Sequence, residues 1–514
     1  MNNFLNGFQV DNEKDIMMPM NILKSFFLAL VLVAPLLGVG ACSVNPATGK
    51  QSFTAFMSPE KEMEIGAKEH PKIIEQFGGV YDDPDLGFYV ARIGAKLAQY
   101  SEMPDLSYTF TILNDEKVNA FAVPGGYIYI TRGLLAIAAD EAEMAGVLAH
   151  EIGHITARHT AQRYSTTMAT NIGLQVLGVL GSVAGAPTGA GQLASFGAQA
   201  ALQSYSREQE LESDMLGVRY LSRAGYDPDA MTGFFYKLQA HSKLQAAMRG
   251  EKDQSESRNI MSTHPLTSER IVAAEQLASE AAINGGERSK DVFISEIDGL
   301  IFGDDPEQGI RRGRVFEHPG LAIRFEVPPG FTLINTPQRV IAKGEDGSVI
   351  VFDNANAKKV REVGGITNYM KAVNFKGAKF RDVENLNING MAAVTGTVKL
   401  SISQQKRDIR LLIIKEDKNN IYRFWFETQP DKTQDHAVDF RRTTYSFKHL
   451  SPSEIAAIKP LRVRVIDVGK GDTVETLAKK MPMEKFRLEW FELLNDVERD
   501  AVLKTGSRVR LVSE

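Results

Sequence analysis

The chain has 514 residues, of which 43% are apolar and 24% are charged, so it is long enough for two to four globular domains and is not disordered. Its formal net charge is −5 and its isoelectric point is near 6.1. A nucleic-acid-binding protein needs a basic surface that neutralises phosphates, so this composition argues against that class and predicts no nucleic-acid partner.

Residues 1–42 are predicted to form a signal peptide. Lys24 is followed by a mostly apolar stretch from Ser25 to Val39, and then by Gly40, Ala41 and Cys42, which is the one cysteine of the chain. This end resembles the lipobox of bacterial lipoproteins, which implies cleavage before Cys42 and acylation of its thiol. A plain signal peptide or an N-terminal membrane helix is the alternative, although the apolar stretch is short for a membrane span.

If Cys42 is lipidated, the mature chain begins at Cys42-Ser43. By resemblance to enterobacterial lipoproteins, a Ser where inner-membrane lipoproteins carry Asp implies transfer to the outer membrane. We therefore expect a periplasmic protein of a Gram-negative bacterium, lipid-anchored to the inner face of the outer membrane. The single cysteine also excludes an intramolecular disulfide, so that any metal site must use histidines and carboxylates.

Residues 43–285 are predicted to form a mainly helical first domain with a small β-structure. The stretches Leu106 to Leu113 and Tyr127 to Thr131 are rich in Tyr, Ile and Thr, which favours two strands. The turn residues Pro124-Gly125-Gly126 come just before the second strand.

Two helices are predicted after these strands. Asp140 and Glu143 are spaced as in a capping box, and apolar residues then recur every three or four positions, which predicts a helix from about Glu141 past Thr160. A later helix is predicted from about Ser206 to near Gly225, where the glycine is typical of a helix end.

The first of these helices carries the run His150-Glu151-Ile152-Gly153-His154. Two histidines four residues apart lie on one face of a helix and suit two corners of a tetrahedral zinc site. Glu151 lies beside them and can act as general base on a water whose pKa the metal lowers to about 7. Taken alone, the run is also compatible with a surface helix that carries two hydrogen-bonded histidines.

The second helix supplies the missing metal ligand. Glu210 and Asp214 are four residues apart on it, about 56 residues after the histidine run. A catalytic zinc takes three protein ligands and keeps one position open, so Glu210 is predicted to be the third ligand. Asp214, one turn further on, is predicted to accept the outer N–H of a ligand histidine.

Together these motifs resemble the HtpX, BepA and CAAX prenyl endopeptidase family of gluzincin metallopeptidases. The run from Asn119 to Gly126 and the Thr263-His264-Pro265 triplet, with Arg270 after it, match that family as well. The resemblance implies a zincin-type fold, one Zn²⁺ per chain, and an edge strand whose residues Asn119, Ala120, Phe121 and Ala122 bind an extended substrate through the backbone.

Two further histidines have less certain roles. In BepA-like proteins, the residue matching His264 either occupies the open zinc position until a loop moves or donates to the oxyanion, so the resemblance implies a catalytic role; a helix-start histidine with no catalytic part is the alternative. His159 falls on the opposite face of a continuous helix and is predicted to be a packing or surface residue. The apolar stretch from Ile172 to Ala201 is predicted to be a helical hairpin or a mobile lid over the cleft.

Residues 286–455 are predicted to form an α+β domain, because short alternating runs such as Ile323 to Val327 replace the helical pattern. The segments Phe316 to Leu321 and Val327 to Phe331 resemble a PsbP-like module. Residues 456–514 have the order strand, helix, helix, strand and resemble a LysM module, which implies peptidoglycan binding. A degenerate packing domain is the alternative, because the middle of the tail departs from the LysM pattern.

The sequence favours a zinc metalloendopeptidase that degrades misfolded or unassembled cell-envelope proteins. Two other functions stay open at this point. One is a holdase or assembly chaperone for outer-membrane proteins with a plugged zinc site, and the other is a cell-wall tether that acts through the tail. The intact Glu151 favours the peptidase.

Overall fold

The structure is a computed structural model, and it describes residues 42–182, 204–250, 264–281, 285–372, 374–375, 378–402 and 404–514. The predicted signal peptide before Cys42 lies outside these ranges, as does most of the Ile172–Ala201 stretch. None of the described helices is long and apolar enough to cross a bilayer.

The N-terminal region is mainly helical and contains two small sheets. A β-hairpin opens it, and a three-stranded sheet of order β3-β5-β4 follows, in which β3 pairs parallel and β4 antiparallel to the central β5. The elements are β1 Cys42–Val44, β2 Gln51–Phe53, α1 Pro59–Gln76, α2 Pro84–Gln99, β3 Thr109–Leu113, β4 Ala120–Val123, β5 Tyr127–Thr131 and α3 Arg132–Ile137.

The predicted strand at Leu106 begins three residues later, and Pro124-Gly125-Gly126 forms the turn of the β4–β5 hairpin. Gly125 and Gly126 have φ angles of +84° and +90°, a left-handed backbone region that favours glycine.

Helices then carry the histidine run and the second acidic motif. They are α4 Glu141–Thr156, α5 His159–Ser182, α6 Arg207–Arg223, α7 Asp229–Met248, α8 Ser268–Ala281 and α9 Lys290–Glu296. The Asp140 side chain accepts a hydrogen bond from the Glu143 amide, and Ser206 forms a full capping box with Gln209, so both predicted helix starts are confirmed.

The prediction that the first helix continues past Thr160 is wrong. The helix ends at Thr156, and a new one begins at His159. Arg158, between them, has a φ of +55°, and its guanidinium binds the Glu62 carboxylate at 2.6 and 2.8 Å and the Met57 carbonyl at 2.7 Å. These contacts with a distant segment hold the arginine in a backbone conformation that is uncommon for a residue with a side chain.

A β-rich region follows, and its centre is an antiparallel seven-stranded sheet of order β10-β11-β12-β18-β17-β16-β15. A four-stranded sheet of order β19-β9-β8-β7 lies beside it. The elements are β6 Ile301–Phe302, β7 Ile310–Arg312, β8 Val315–His318, β9 Ile323–Glu326, β10 Phe331–Thr336, β11 Arg339–Gly344, β12 Val349–Asn354, α10 Ala357–Glu362, α11 Ile366–Ala372, β13 Asn374–Phe375, β14 Ala378–Lys379, β15 Arg381–Ile388, β16 Met391–Ile402, β17 Gln405–Lys415, β18 Ile421–Thr428, α12 Ala437–Ser446, β19 Lys448–His449 and α13 Pro452–Ala457.

The tail has the predicted order strand, helix, helix, strand: β20 Leu461–Asp467, α14 Val474–Ala478, α15 Arg487–Asn495 and β21 Arg508–Ser513. Its two strands pair antiparallel, and β20 also pairs with β6. The element order fits the predicted fold, whereas the specific LysM identity stays a prediction.

The hydrophobic cores join the helical region with the tail and leave the sheet region apart. Leu148 and Leu216 of the helical region belong to one continuous core with Val463 and Phe491 of the tail. The seven-stranded sheet has its own cores, one around Phe352 and Phe424 and another around Ile413 and neighbouring residues. The tail therefore packs on the helical region, and the sheet region between them folds around separate apolar contacts. The domain limits at 285 and 455 stay predictions.

Candidate metal centre

Helix α4 presents the histidine run inside the protein, because every one of its residues is buried. Its packing partner is α6, which approaches closely at Gly153. A Cβ atom added to Gly153 would lie 3.2 Å from the Ser213 carbonyl oxygen and from the Leu216 Cβ. The glycine in the run therefore allows the second helix to come near enough to place Glu210 beside the histidines.

Four side chains bring one ligand atom each to within 4.8 Å of one another: His150, His154, Glu210 and His264. The His150 Nε2 atom lies 3.0 Å from His154 Nε2 and 3.2 Å from His264 Nδ1. Glu210 Oε1 lies 3.0 Å from His264 Nδ1 and 3.5 Å from His154 Nε2.

These distances fit a four-coordinate metal. Zinc bound at about 2.0–2.1 Å by nitrogen and oxygen atoms in a tetrahedron separates those atoms by about 3.3 Å. The donor set of three imidazoles and one carboxylate, fully buried, is also one that zinc prefers. The residues present therefore fit one Zn²⁺ per chain.

Glu151 lies next to this group and is fully buried. Neither of its carboxylate oxygens makes a hydrogen bond within the described part of the chain, and Oε1 lies 3.3 Å from His264 Nε2. Burial raises the pKa of Glu151, and the positive charges of His264 and His150 lower it by less. A buried carboxylate with unfilled hydrogen-bonding capacity is suited to accept a proton from a water molecule.

A buried ion pair between Asp214 and Arg270 contacts the outer nitrogen of His150. His150 Nδ1 lies 2.9 Å from Asp214 Oδ1, and the Arg270 guanidinium binds both oxygens of Asp214 at 2.8 Å. Arg270 also lies 2.6 Å from Glu210 Oε2. Burial alone would lower the pKa of His150, but the hydrogen bonds to Asp214 and Glu210 outweigh it and raise that pKa to about 9. The structure thus brings the predicted Asp214 to the outer nitrogen of a ligand histidine.

The sequence analysis did not predict the residue that contacts the outer nitrogen of His154, which is His159. His159 is buried and lies on the same side as the ligands, with its Nδ1 atom 2.9 Å from His154 Nδ1. Its Nε2 atom lies 2.9 Å from Glu212 Oε2. The expectation that His159 faces away assumed a continuous helix, and the break at Arg158 turns the ring inward instead.

The contacts of His159 fix the positions of the protons. When His154 binds a metal through Nε2, its proton must lie on Nδ1, which then donates to the Nδ1 atom of His159. His159 in turn carries its proton on Nε2 and donates it to Glu212. If His154 binds a metal, His159 would hold its tautomer and ring orientation, as the outer neighbours of metal-bound histidines commonly do.

His264 lies inside the ligand group rather than at its rim. It precedes α8 and is buried, with Nδ1 among the ligand atoms and Nε2 towards Glu151. Burial raises the pKa of Glu210, but the charges of His264 and Arg270 outweigh it and hold that pKa well below its ordinary value. The structure thus brings His264 together with the predicted ligands, and its catalytic role stays a prediction.

The predicted substrate-binding residues Asn119 to Ala122 are all buried, and Ala120 to Ala122 belong to β4, at one edge of the three-stranded sheet as described. The backbone amide of Ala122 interacts with the Glu151 carboxylate and lowers its pKa, although burial has the larger, opposite effect. An edge strand beside the candidate base is the arrangement that backbone pairing with an extended peptide requires.

An apolar pocket opens beside the metal group. Its walls include the histidine-bearing helix and α7, and they are lined by Val147, Met231, Phe234, Phe235 and Leu238 beside His150 and Glu151. The last predicted site residue, Cys42, begins β1, and the structure does not describe its side chain. Lipidation of Cys42 and the proposed lid therefore stay predictions.

Comparisons with known proteins agree with this geometry. Residues 87–278 match peptidase family M48. The chain is 28% identical over 251 residues to the beta-barrel assembly-enhancing protease of Escherichia coli (strain K12), which is 48% of this chain and 49% of that protein. It is 30% identical over 196 residues to the mitochondrial metalloendopeptidase OMA1 of Schizosaccharomyces pombe, which is 38% of this chain and 54% of that protein. The chain spans about half the length of the curated relatives it matches.

Solved structures resemble part of the chain only slightly. Cyanobacterial PsbP from Synechocystis sp. PCC 6803 is 15% identical with a TM-score of 0.21, and the match covers 29% of this chain and 98% of that chain. LpqN of Mycobacterium tuberculosis is 13% identical with a TM-score of 0.20, and the match covers 25% of this chain and 83% of that chain. Likenesses at this level carry no conclusion about what that part of the chain does.

Proposed function

Because residues 87–278 carry a domain of peptidase family M48, we propose that the protein is a zinc-dependent metalloendopeptidase. One observation carries the proposal. His150, His154 and Glu210 meet in a buried group whose spacing fits zinc, and the carboxylate of Glu151 lies beside that group. The family match and this geometry support the same chemistry.

Each residue has a defined part in peptide hydrolysis. Zinc held by His150, His154 and Glu210 would supply a Lewis acid for the scissile carbonyl and for the attacking water. Glu151 accepts the proton of the attacking water and passes it to the departing amine, for which its raised pKa is favourable. Asp214 and His159 fix the two ligand histidines, and β4 aligns the peptide through backbone hydrogen bonds.

The proposed substrates are misfolded or unassembled proteins of the bacterial envelope. Support comes from the relatives named as beta-barrel assembly-enhancing proteases, whose name refers to β-barrel proteins. Backbone pairing with an edge strand tolerates many sequences, which suits a quality-control protease. We place the protein in the periplasm, anchored by lipid on Cys42 to the outer membrane, and the tail near peptidoglycan.

One observation favours a second candidate, an assembly chaperone with a plugged zinc site. His264 Nδ1 lies 3.2 Å from His150 Nε2 and 3.0 Å from Glu210 Oε1, where the fourth ligand of a tetrahedral metal would be. With His264 in that position, the place for a water or a substrate carbonyl is filled. The buried carboxylate of Glu151 beside this group favours the peptidase as the main function, with His264 as a ligand that must leave for cleavage.

The test compares cleavage with binding. Purified zinc-loaded protein is incubated with a reduced, unfolded outer-membrane β-barrel protein and with the same protein folded in detergent. We expect cleavage of the unfolded form only, complete inhibition by a zinc chelator, and faster cleavage by the variant His264→Ala. Suppression of aggregation without cleavage, in the wild type and in His264→Ala alike, would replace the peptidase with the chaperone.

A further inference from the structure

A cleft lies where the helical region, the β-rich region and the tail meet. It has a volume of about 740 Å³, which is within the range of ligand-binding pockets. The helical region contributes Asn119 and His241, β6 contributes Phe302, and the tail contributes Met483, Lys485 and Trp490. No residue of the tail takes part in the peptide hydrolysis described above, whereas three residues of the tail line this cleft.

The cleft begins where the substrate-pairing strand begins. Asn119 lines the cleft and directly precedes β4, and Ala122, three residues later, interacts with Glu151. Strand residues advance by about 3.3 Å each, so Asn119 lies about 10 Å along the strand from the position of the general base. A peptide that pairs with β4 therefore reaches only the edge of the cleft about three residues from the bond that is cleaved, so a 6-residue peptide with three residues on each side of that bond ends at this edge.

The walls of the cleft favour apolar side chains. The Trp490 ring packs edge-on against Phe302, with ring centroids 5.1 Å apart, and lies 6.0 Å from the ring of His241. Burial lowers the pKa of His241 to about 4, so this ring is neutral at pH 7. Met483 is partly buried beside Phe302 and Trp490 in the cleft lining and, as a flexible thioether, adapts to apolar groups of different shapes.

The charged residues of the lining are exposed or have partners. Lys117 and Lys485 are exposed, Glu116 is paired with Arg311, and the buried Arg132 donates to Asn114 Oδ1 and to the Ile301 carbonyl. Hydroxyl-rich glycans need many hydrogen-bonding partners, whereas the aromatic and thioether walls favour the apolar side chains of an unfolded polypeptide.

We propose that this cleft is a remote subsite for the substrate, in which the tail holds an aromatic or large aliphatic side chain of an extended polypeptide. The proposal rests on the peptidase function and adds a substrate class to it: chains long enough to span from β4 to the cleft and carrying an apolar residue about three to six positions from the scissile bond. The tail is thereby part of the substrate-binding surface rather than a separate glycan tether.

The two tryptophans of the chain allow a direct binding test. Trp425 lies in β18 and Trp490 in the cleft, so a full-length E151Q/W425F protein reports on Trp490 alone and does not cleave what it binds. The probes are tryptophan-free peptides of 6, 10 and 14 residues with leucine and phenylalanine, a 14-residue peptide with serine in their place, and an N-acetylglucosamine hexamer. We expect a saturable change in Trp490 emission with the two longer apolar peptides only.

A saturable change with the glycan alone, or no change with any probe, would overturn the proposal. Failure of the peptidase function is separate, because it would appear as absence of cleavage of the same peptides by the W425F protein with Glu151 intact. Binding without cleavage would therefore support the remote subsite and contradict the peptidase function.

A kinetic test uses an intact catalytic site. Met483→Asp places a charge in the cleft, and Val502→Asp is the matched control, because Val502 is 97% exposed on the same tail and does not line the cleft. We expect Met483→Asp to raise KM for the 14-residue peptide about tenfold and to leave the 6-residue peptide within about twofold. Equal effects on both peptides, or no effect on either in a variant of unchanged melting temperature, would contradict a remote subsite.

Discussion

The metal centre and the seven-stranded sheet differ in the polar side chains that they bury. Around the metal centre, Glu151, Glu210, Asp214 and Arg270 are almost fully buried. In the seven-stranded sheet, its turns and α12, the buried polar residues that the structure describes are serines and threonines, namely Ser348, Thr395, Thr428, Thr443 and Thr444. Among the described residues of the β-rich region, Asp305, between β6 and β7, is the one buried charge. Burying a charge is costly unless it is paired or binds a metal, so the concentration of buried charge locates the chemistry in the helical half.

The largest effect in this comparison is expected for Glu151→Gln. The amide keeps the shape of the side chain but cannot accept the proton of water, so cleavage should fall by about 10³-fold or more while zinc content stays unchanged. Cleavage is measured by initial rates on an unfolded protein. The control is Glu208→Gln, an exposed glutamate on α6, which should leave the rate unchanged. Normal cleavage by a zinc-loaded Glu151→Gln protein would refute the role of Glu151.

A smaller effect is expected for Asp214→Asn, which removes the charge that supports His150. Arg270 then loses one of its two charged partners and keeps Glu210, and the outer neighbours of metal ligands typically contribute 10–100-fold in affinity. We expect zinc affinity, measured by competition with a chromophoric chelator, to fall by about that factor. Asp229→Asn, an exposed change at the start of α7, should bind zinc like the wild type. Equal affinities of all three proteins would show that the carboxylate does not support the metal.

The effect of His159→Ala should be smaller again. His159 is a neutral acceptor for the His154 N–H, in contrast to the charged Asp214, so we expect about a tenfold loss of zinc affinity. In the cobalt-substituted protein, the visible absorption bands should also shift, because the ring of His154 is no longer held. His159→Asn, which can still accept a hydrogen bond, should restore part of the affinity. An unchanged spectrum would leave His159 as a packing residue.

Two pairs of site residues could be predicted from the sequence because their information is local. Residues four apart on a helix share a face whatever the rest of the chain does, so the pairs His150–His154 and Glu210–Asp214 follow from spacing. The meeting of their two helices is a tertiary contact that spacing does not give. The inward position of His159 does not follow from spacing either, because it depends on the bond of Arg158 to Glu62, 96 residues away. Such a contact has no signal in a local pattern.

The same reason explains what was missed outside the site. The order of elements in the tail was predictable from their apolar periodicity. Its packing on the helical region was not, because Arg510 donates to the carbonyls of Ala136 and Ala138 across more than 370 residues of sequence. Contacts between distant segments are a matter of tertiary structure alone.

The smallest effect is expected in the sheet region. The Arg423–Asp353 pair is bidentate at 2.7 Å but partly exposed, so its loss should cost at most about 1 kcal/mol. Arg423→Ala should therefore lower the melting temperature slightly and leave kcat/KM on an unfolded substrate unchanged. A large loss of kcat/KM in this variant would contradict this difference between the two regions and indicate that the sheet region takes part in the reaction.

The central claim is that His150, His154 and Glu210 bind a catalytic zinc, and metal analysis of the purified protein tests it most directly. Elemental analysis should find one zinc per wild-type chain, and much less than one in His154→Ala and Glu210→Ala proteins that are still folded. Removing the zinc with a chelator should abolish cleavage of an unfolded protein, and adding one equivalent back should restore it. A folded wild-type protein that takes up no zinc, or cleaves equally well without it, would contradict the account.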